Sequence, residues 1–343
     1  MSSRSLLVKE VLDEYGALTR VALQTFLKAQ SERSDVYRMA ADYPLRPGRS
    51  LRASFCIAAA QAFGATAEQA MQSAISLELL HNAFLIHDDI EDESEERRGQ
   101  PALHQLHGVP AALNAGDALI SLSLRPLLGN RASLGPRVAW RVIEEAERMV
   151  RESVEGQALE LKWRQDNTWA LTDSDYLGMT LKKTSWYTTI YPCRVGALIG
   201  TKDNVDLDAF VRFGFFLGSA FQIQDDLLNL VGDHAAYGKE LSGDLREGKR
   251  TLMLIHALKH MNSGDKQRAV RLLALPRQGK QDSELHWLRA QIDACGSIEY
   301  ARAVAHALSG AALHECERVF TKLRPSRDLE FIRALPYWVL ERT

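Results

Sequence analysis

An all-α chain, a bundle of long helices in one domain, is predicted by three observations. Prolines, which end helices, leave long tracts untouched: none stands between Pro47 and Pro101, and none between Pro136 and Pro192. Inside those tracts apolar residues recur at three- and four-residue spacings, the period of one helix face. The strict alternation of a half-buried strand is hard to find. No fixed-period repeat, low-complexity segment or composition break divides the 343 residues, so one domain over 1–343 is expected.

The elements follow in order. Met1–Gly16 carries only a short Leu6-Leu7-Val8 run, too brief for a signal-peptide core. Pro44 and Pro47 bracket a loop, after which Leu51–Phe63 and Ala67–Asp89 read as helices. Pro136 opens a tract with a helix over Val138–Trp163. Thr172-Asp173-Ser174-Asp175 then forms a capping signal before a helix over Tyr176–Tyr191. Leu207–Leu230, Lys249–Met261 and Ile298–Leu323 are further helices. Residues 263–284, rich in Gly, Lys, Gln, Arg and Asp, read as the most solvated and peripheral region.

Composition narrows the function classes. Hydrophobic residues at 46% and charged residues at 25% suit a globular enzyme with a sizeable core. A net charge of −2 without a basic block argues against a nucleic-acid partner. Cys56, Cys193, Cys295 and Cys316 lack CxxC spacing, so neither structural zinc nor a disulfide framework is expected. No apolar stretch approaches the roughly 18 residues of a membrane helix, and a cytoplasmic protein is expected.

Two acidic clusters carry the chemistry. His87-Asp88-Asp89-Ile90-Glu91-Asp92, followed by Arg97-Arg98-Gly99, and Phe221-Gln222-Ile223-Gln224-Asp225-Asp226 each end an apolar helical run. Residues four apart share a helix face, so Asp88 and Asp92 project together while Asp89 flanks them. Carboxylates packed this closely need cations, and hard oxygen donors favour magnesium shared with a phosphorylated substrate. The guanidinium forks of Arg97 and Arg98 suit phosphate oxygens. After the second cluster, Asn229 stands where a further acid would complete the pattern, and Gly238-Lys239 and Gly248-Lys249-Arg250-Thr251 supply cations beyond it. Other metal readings fail on count. Glu78-x-x-His81 fits a di-iron helix, yet no other histidine has a glutamate three residues before it. His104 and His107 lack accompanying acids or cysteines, and no Walker loop or GxSxG elbow occurs.

From Pro47 to Thr251 these motifs, with Gly156-Gln157 and Lys183-Thr184 between them, resemble the trans-isoprenyl diphosphate synthases of the polyprenyl synthetase family. The resemblance implies the isoprenoid synthase fold, helices around a central apolar cavity, and a homodimer. It also implies condensation of an allylic diphosphate with isopentenyl diphosphate. Asp88, Asp89, Asp92, Asp225 and Asp226 would hold magnesium, about three ions bound with the substrate diphosphate. Arg97, Lys183 and Lys239 would contact the allylic diphosphate, and Arg49, Arg52, His81, Arg98 and Lys249 isopentenyl diphosphate. Lys183, Thr184 and Gln222 would border the allylic cation, with released pyrophosphate taking the proton.

Departures from the family are equally specific. Its GGKRLRP reads Pro47-Gly48-Arg49-Ser50-Leu51-Arg52-Ala53 here, so Ser50 removes one positive charge. Asn229 also occurs in some geranylgeranyl synthases of the family. Ala83 and Phe84, five and four residues before the first aspartate, stand where the family sets product length. Phe84 lies one turn below Asp88 and Ala83 leaves room beside it, which favours geranylgeranyl diphosphate. Two alternatives stay open: a terpene cyclase on the same fold, which would have no use for isopentenyl diphosphate, and a non-catalytic synthase subunit.

Overall fold

The computed structural model describes residues 2–232 and 243–342; Asp233, Gly238 and Lys239 lie outside them. Helix α1, Ser3–Ser31, is followed by short helices α2, Asp35–Ala40, and α3, Asp42–Leu45, then by α4, Leu51–Ala62, and α5, Ala67–Glu91. A capping box starts α5, the Thr66 hydroxyl accepting from Gln69 N and the Gln69 side chain from Thr66 N. The helix ends at Asp92, so the first acidic cluster closes an otherwise apolar rod, as expected.

Beyond α5 the chain makes the only strands among the described residues, β1, Glu96–Arg97, and β2, Gln100–Pro101. Their turn residues, Arg98 at φ 55° and Gly99 at φ 71°, both take the left-handed region that a tight hairpin turn requires. The glycine after the arginine pair thus has a local structural reason. Helix α6, Leu103–His107, leads into α7, Val109–Gln165, which bends at Gly135 with φ 76°. The expected helix over Val138–Trp163 is therefore only the second half of a longer element. Its first half begins with Pro110 in the opening turn, where a missing N–H costs nothing.

The capping signal at Thr172–Asp175 is a reciprocal capping box opening α8, Asp173–Thr180. The regular helix expected over Tyr176–Tyr191 is instead α8, a π-helical stretch over Leu181–Ile190, and α9, Tyr191–Thr201. Glycines press this wide segment from both sides. A Cβ at Gly156 of α7 would meet Lys183 N at 2.2 Å, and one at Gly218 of α10, Val211–Val231, would meet Ser185 Oγ at 2.6 Å. Side chains there would push the π segment out of the bundle.

The remaining helices are α11, Gly243–Glu247, α12, Leu252–His260, α13, Ser263–Leu273, α14, Asp282–Ala294, α15, Ser297–Phe320, and α16, Arg327–Glu341. Residues 263–284 are less peripheral than expected: Leu272 and Leu273 are buried, and Lys280 is 3% exposed, donating to the Arg246 carbonyl at 2.7 Å. Helix α5 packs along α7, while α10 lies between α15 and the π segment. Among the described residues no helix is long and apolar enough to cross a membrane.

Candidate active site

The acid-bearing end of α5, the inner face of α7, the π segment and α10 enclose a cavity of about 570 Å³. Its polar end is lined by Asp88, Glu91, Asp225, Asp226, Asp244, Lys183 and Lys249; its apolar end by Phe84, Leu85, Ile120, Val154 and Leu161. A second cavity of about 130 Å³ is lined by Arg49, Ser50, Arg52, Glu78, His81, Arg98 and Arg342 among others. Arg52, His81, Arg98 and Phe221 belong to both walls.

Asp88 meets Gln157 Nε2 at 3.3 Å and Lys183 Nζ at 3.5 Å, contacts longer than ideal. Lys183 also pairs with Glu160 of α7. Burial works against its ammonium charge, but Glu160 and Asp88 outweigh it and raise its pKa. Thr184 Oγ1 donates to Gln222 Oε1 at 2.7 Å, and Gln222 Nε2 donates to Asp226 at 2.8 Å. All three residues expected beside the reacting carbon are thus joined in or next to the large cavity. Asp225 is paired by Arg342 at 2.8 Å, and the Arg342 guanidinium lies 4.2 Å over the Phe221 ring.

Several expectations are corrected by the geometry. The five motif aspartates do not share one open face. Asp89 is fully buried, accepting from Tyr43 Oη at 2.6 Å and from Arg97 Nε at 3.0 Å. Arg97, expected to reach for phosphate, is itself 5% exposed and committed to Asp89. Asp92 is 2% exposed and ion-paired with Arg164 and, at 3.1 Å, with Lys249. Asp226 is held by Tyr176 Oη at 2.7 Å; burial, then the neighbouring Asp244 carboxylate, push its carboxyl well above the usual range. For the adjacent pairs the physical reason is helix geometry, since neighbouring residues point about 100° apart; Asp92 stands at the C-cap of α5, where Arg164 and Lys249 cover it.

Lys249 does not join the isopentenyl set. It lies on the wall of the large cavity with Asp92, Glu247 and Asp244 at 3.1, 3.0 and 3.5 Å, and these anions keep it protonated against the effect of burial. Arg49, Arg52, His81 and Arg98 do come together, around the second cavity. Arg52 donates to Tyr187 Oη at 3.0 Å and sits 3.3 Å from His81 Nε2, with the buried Glu78 beneath. Arg98 donates to the Tyr43 carbonyl at 2.9 Å. Ser50 caps α4 at φ 46° and lines this same cavity.

Of the pair expected to set product length, only Phe84 lines the cavity, edge-on to Tyr187 at 5.8 Å. Ala83 is wholly buried in a separate apolar cluster that includes Leu23, Leu79, Leu119 and Leu122. Asn229 is 4% exposed and accepts from Asp244 N at 3.1 Å, which ties α10 to α11. Lys239 falls outside the described residues.

Sequence reasoning missed Tyr43, Tyr176, Glu160, Tyr187 and Arg342. Tyr176 and Tyr187 flank Lys183-Thr184 on one continuous helical segment, a signal that could have been followed. Tyr43 and Arg342 arrive from distant segments with no local signature. Among the described residues no three His, Cys, Asp or Glu side chains are gathered closely enough to hold a metal alone. The donor set still fits magnesium: hard carboxylate oxygens of Asp88 and Asp225 line one cavity, leaving ligand positions for phosphate oxygens.

The polyprenyl synthetase family matches residues 34–292. A geranylgeranyl pyrophosphate synthase of Geoglobus acetivorans is 30% identical over 296 residues, 86% of this chain and 88% of that protein. A (2E,6E)-farnesyl diphosphate synthase of Mycobacterium bovis is 32% identical over 298 residues, 86% of this chain and 80% of that one. The crystal structure of a Corynebacterium glutamicum geranylgeranyl pyrophosphate synthase, complexed with isoprenyl diphosphate and magnesium, superposes with a TM-score of 0.87 at 25% identity, covering 97% of this chain and 99% of that one.

Proposed function

Because the chain belongs to the polyprenyl synthetase family and is a trans-prenyltransferase, we propose that it joins an allylic diphosphate head-to-tail to isopentenyl diphosphate, with magnesium, giving mainly geranylgeranyl diphosphate. The observation that carries this reading is the pair of cavities meeting at Arg52, His81, Arg98 and Phe221. A diphosphate that stays on its substrate needs only a grip, which Arg49, Arg52 and Arg98 provide directly. A diphosphate that leaves develops charge, and the acid-and-lysine end of the large cavity suits it.

Magnesium held by Asp88 and Asp225 would draw charge from the departing diphosphate as a Lewis acid. Lys183 and Lys249, poised on carboxylates, transfer to diphosphate oxygens when the substrate enters; the family resemblance implies the same role for Lys239. Arg97, locked on Asp89, contributes its positive charge from behind Asp88, 3.9 Å away. Thr184 and Gln222 turn hydroxyl and amide dipoles toward the reacting carbon, where positive charge grows. The apolar end of the cavity excludes water from that cation.

Phe84 supports an intermediate product, since its ring lines the cavity together with Leu85, Ile120 and Val154. Relatives named for both geranylgeranyl and farnesyl products flank this reading. A homodimer is also proposed: Leu113, Leu124 and Leu128 on α7 are 47%, 54% and 65% exposed, three apolar side chains on one helix that a second copy would cover. The test of product length is a magnesium assay with isopentenyl diphosphate and geranyl or farnesyl diphosphate, the products dephosphorylated and sized. Accumulation of geranylgeraniol supports the reading; arrest at farnesol overturns the length assignment.

A further inference from the structure

The two aspartate pairs lie 137 positions apart in the sequence, yet they are built alike. In each, the leading acid, Asp88 or Asp225, is part-exposed on the wall of the large cavity, and the trailing acid is buried and accepts from a tyrosine hydroxyl, Asp89 away from the cavity and Asp226 at its edge. Tyr43 Oη donates to Asp89 at 2.6 Å and Tyr176 Oη to Asp226 at 2.7 Å. Both tyrosines are themselves enclosed, 0% and 1% exposed. They share no sequence context, one lying on the four-residue α3 and the other on α8. A buried hydroxyl must find a partner, and each of these spends its proton on a motif aspartate.

The remaining valences of the trailing acids are also filled, and by residues of the site. Asp89 takes Arg97 Nε at 3.0 Å, which sets the hairpin arginine behind Asp88. Asp226 takes Gln222 at 2.8 Å, and Gln222 takes Thr184 at 2.7 Å. Tyr43 also accepts from Leu103 N at 3.0 Å, so it bridges α3, the end of α5 and the start of α6.

We propose that Tyr43 and Tyr176 are paired positioning residues: each clamps a trailing aspartate, which fixes the rotation of its helix end so that Asp88 and Asp225 face the cation-binding space at a set separation. This rests on the proposed reading of Asp88 and Asp225 as magnesium ligands. The tyrosines act through Asp89 and Asp226: Tyr43 lies off the cavity wall, and Tyr176, which borders it, gives its proton to Asp226. The trailing aspartates thus serve as anchors, and the doubled acid in each motif divides into one ligand and one fastening.

The experiment uses the full chain, magnesium and inorganic pyrophosphate. The magnesium needed for half of the pyrophosphate-dependent rise in melting temperature is measured for wild type, Tyr43→Phe, Tyr176→Phe and Asp88→Asn. In parallel, the magnesium dependence of the rate and the KM for isopentenyl diphosphate are determined. Loss of an outer partner of a metal ligand costs roughly 10- to 100-fold in metal affinity, and each phenylalanine variant is expected to raise both magnesium midpoints by about tenfold. The KM for isopentenyl diphosphate should stay near wild type, while the ligand-free melting temperature falls by a few degrees in both variants alike, because each leaves a buried carboxylate short of a partner.

Magnesium midpoints equal to wild type in both variants would overturn the proposal. So would a matched rise in the isopentenyl KM, since that would make the tyrosines general packing. Asp88→Asn should lose the magnesium-dependent shift altogether. If wild type itself lacks the shift, the ligand reading falls and the clamp with it; if wild type shifts and only the phenylalanine variants match it, the clamp alone falls.

Discussion

The large and small cavities share a wall but differ in how charge is arranged around them. In the large one cations and anions alternate: Lys183 between Glu160 and Asp88, Lys249 among Asp92, Glu247 and Asp244. In the small one arginines 49, 52, 98 and 342 surround a single buried acid, Glu78. A diphosphate would be attracted to the second as it stands. It would enter the first only with cations to offset the aspartates. On the proposed function, the difference separates the diphosphate that is ionised from the one that is merely gripped, and it can be attacked from either side.

The sharpest break is on the acidic side. Asp88→Asn keeps the side chain's shape and removes a charge from the cavity wall, leaving Glu91 as the other acid of α5 there. Turnover should fall by roughly 10²- to 10³-fold, the scale of losing one preorganised charge-stabilising group, with the KM for isopentenyl diphosphate little changed. Steady-state kinetics at saturating magnesium check this split. On the basic side, Arg49→Met should do the reverse. Losing one charge-assisted contact, worth roughly 1.5–3 kcal/mol, raises the isopentenyl KM by about 10- to 100-fold and leaves turnover near wild type. Equal effects of the two variants on both constants would erase the distinction between the cavities.

Smaller effects sharpen the apolar end. Phe84→Ala removes the ring that faces Tyr187 and should lengthen the product by about one isoprene unit through the space left behind, read by chromatography of the dephosphorylated alcohols. Ala83→Val tests the neighbour that packs elsewhere. In a packed cluster with Leu23, Leu79 and Leu119, an added pair of methyl groups should cost about 1–3 kcal/mol of stability and leave product length unchanged. A longer or shorter product from Ala83→Val would return that residue to the cavity wall.

Much of this was legible before the structure. The acid clusters, Lys183-Thr184 and the cap at Thr172 are contiguous signals, and each falls where its local chemistry requires. Arg49, Arg52, His81 and Arg98 converge as the resemblance implied. What was hidden has two physical sources. Tyr43 reaches Asp89 across 46 positions, and Arg342 reaches Asp225 from another helix end; tertiary packing alone makes such contacts. Side-chain direction was the other source. The π-helical stretch at Leu181–Ile190, the inward turn of Asp89 and the outward turn of Ala83 depend on fractions of a helical turn, which residue spacing cannot resolve. Pro126, inside the first half of α7, shows that a proline need not end a helix.

The central claim is that two diphosphates are used, one ionised and one gripped. The direct test supplies labelled isopentenyl diphosphate with unlabelled geranyl or farnesyl diphosphate and magnesium, then follows the label. The account predicts label in a longer prenyl diphosphate, none when magnesium is chelated, and sharply reduced incorporation with Arg49→Met at limiting isopentenyl diphosphate. Conversion of the allylic diphosphate to a hydrocarbon while the label stays in isopentenyl diphosphate would contradict it, and would assign the arginine cavity to some other purpose.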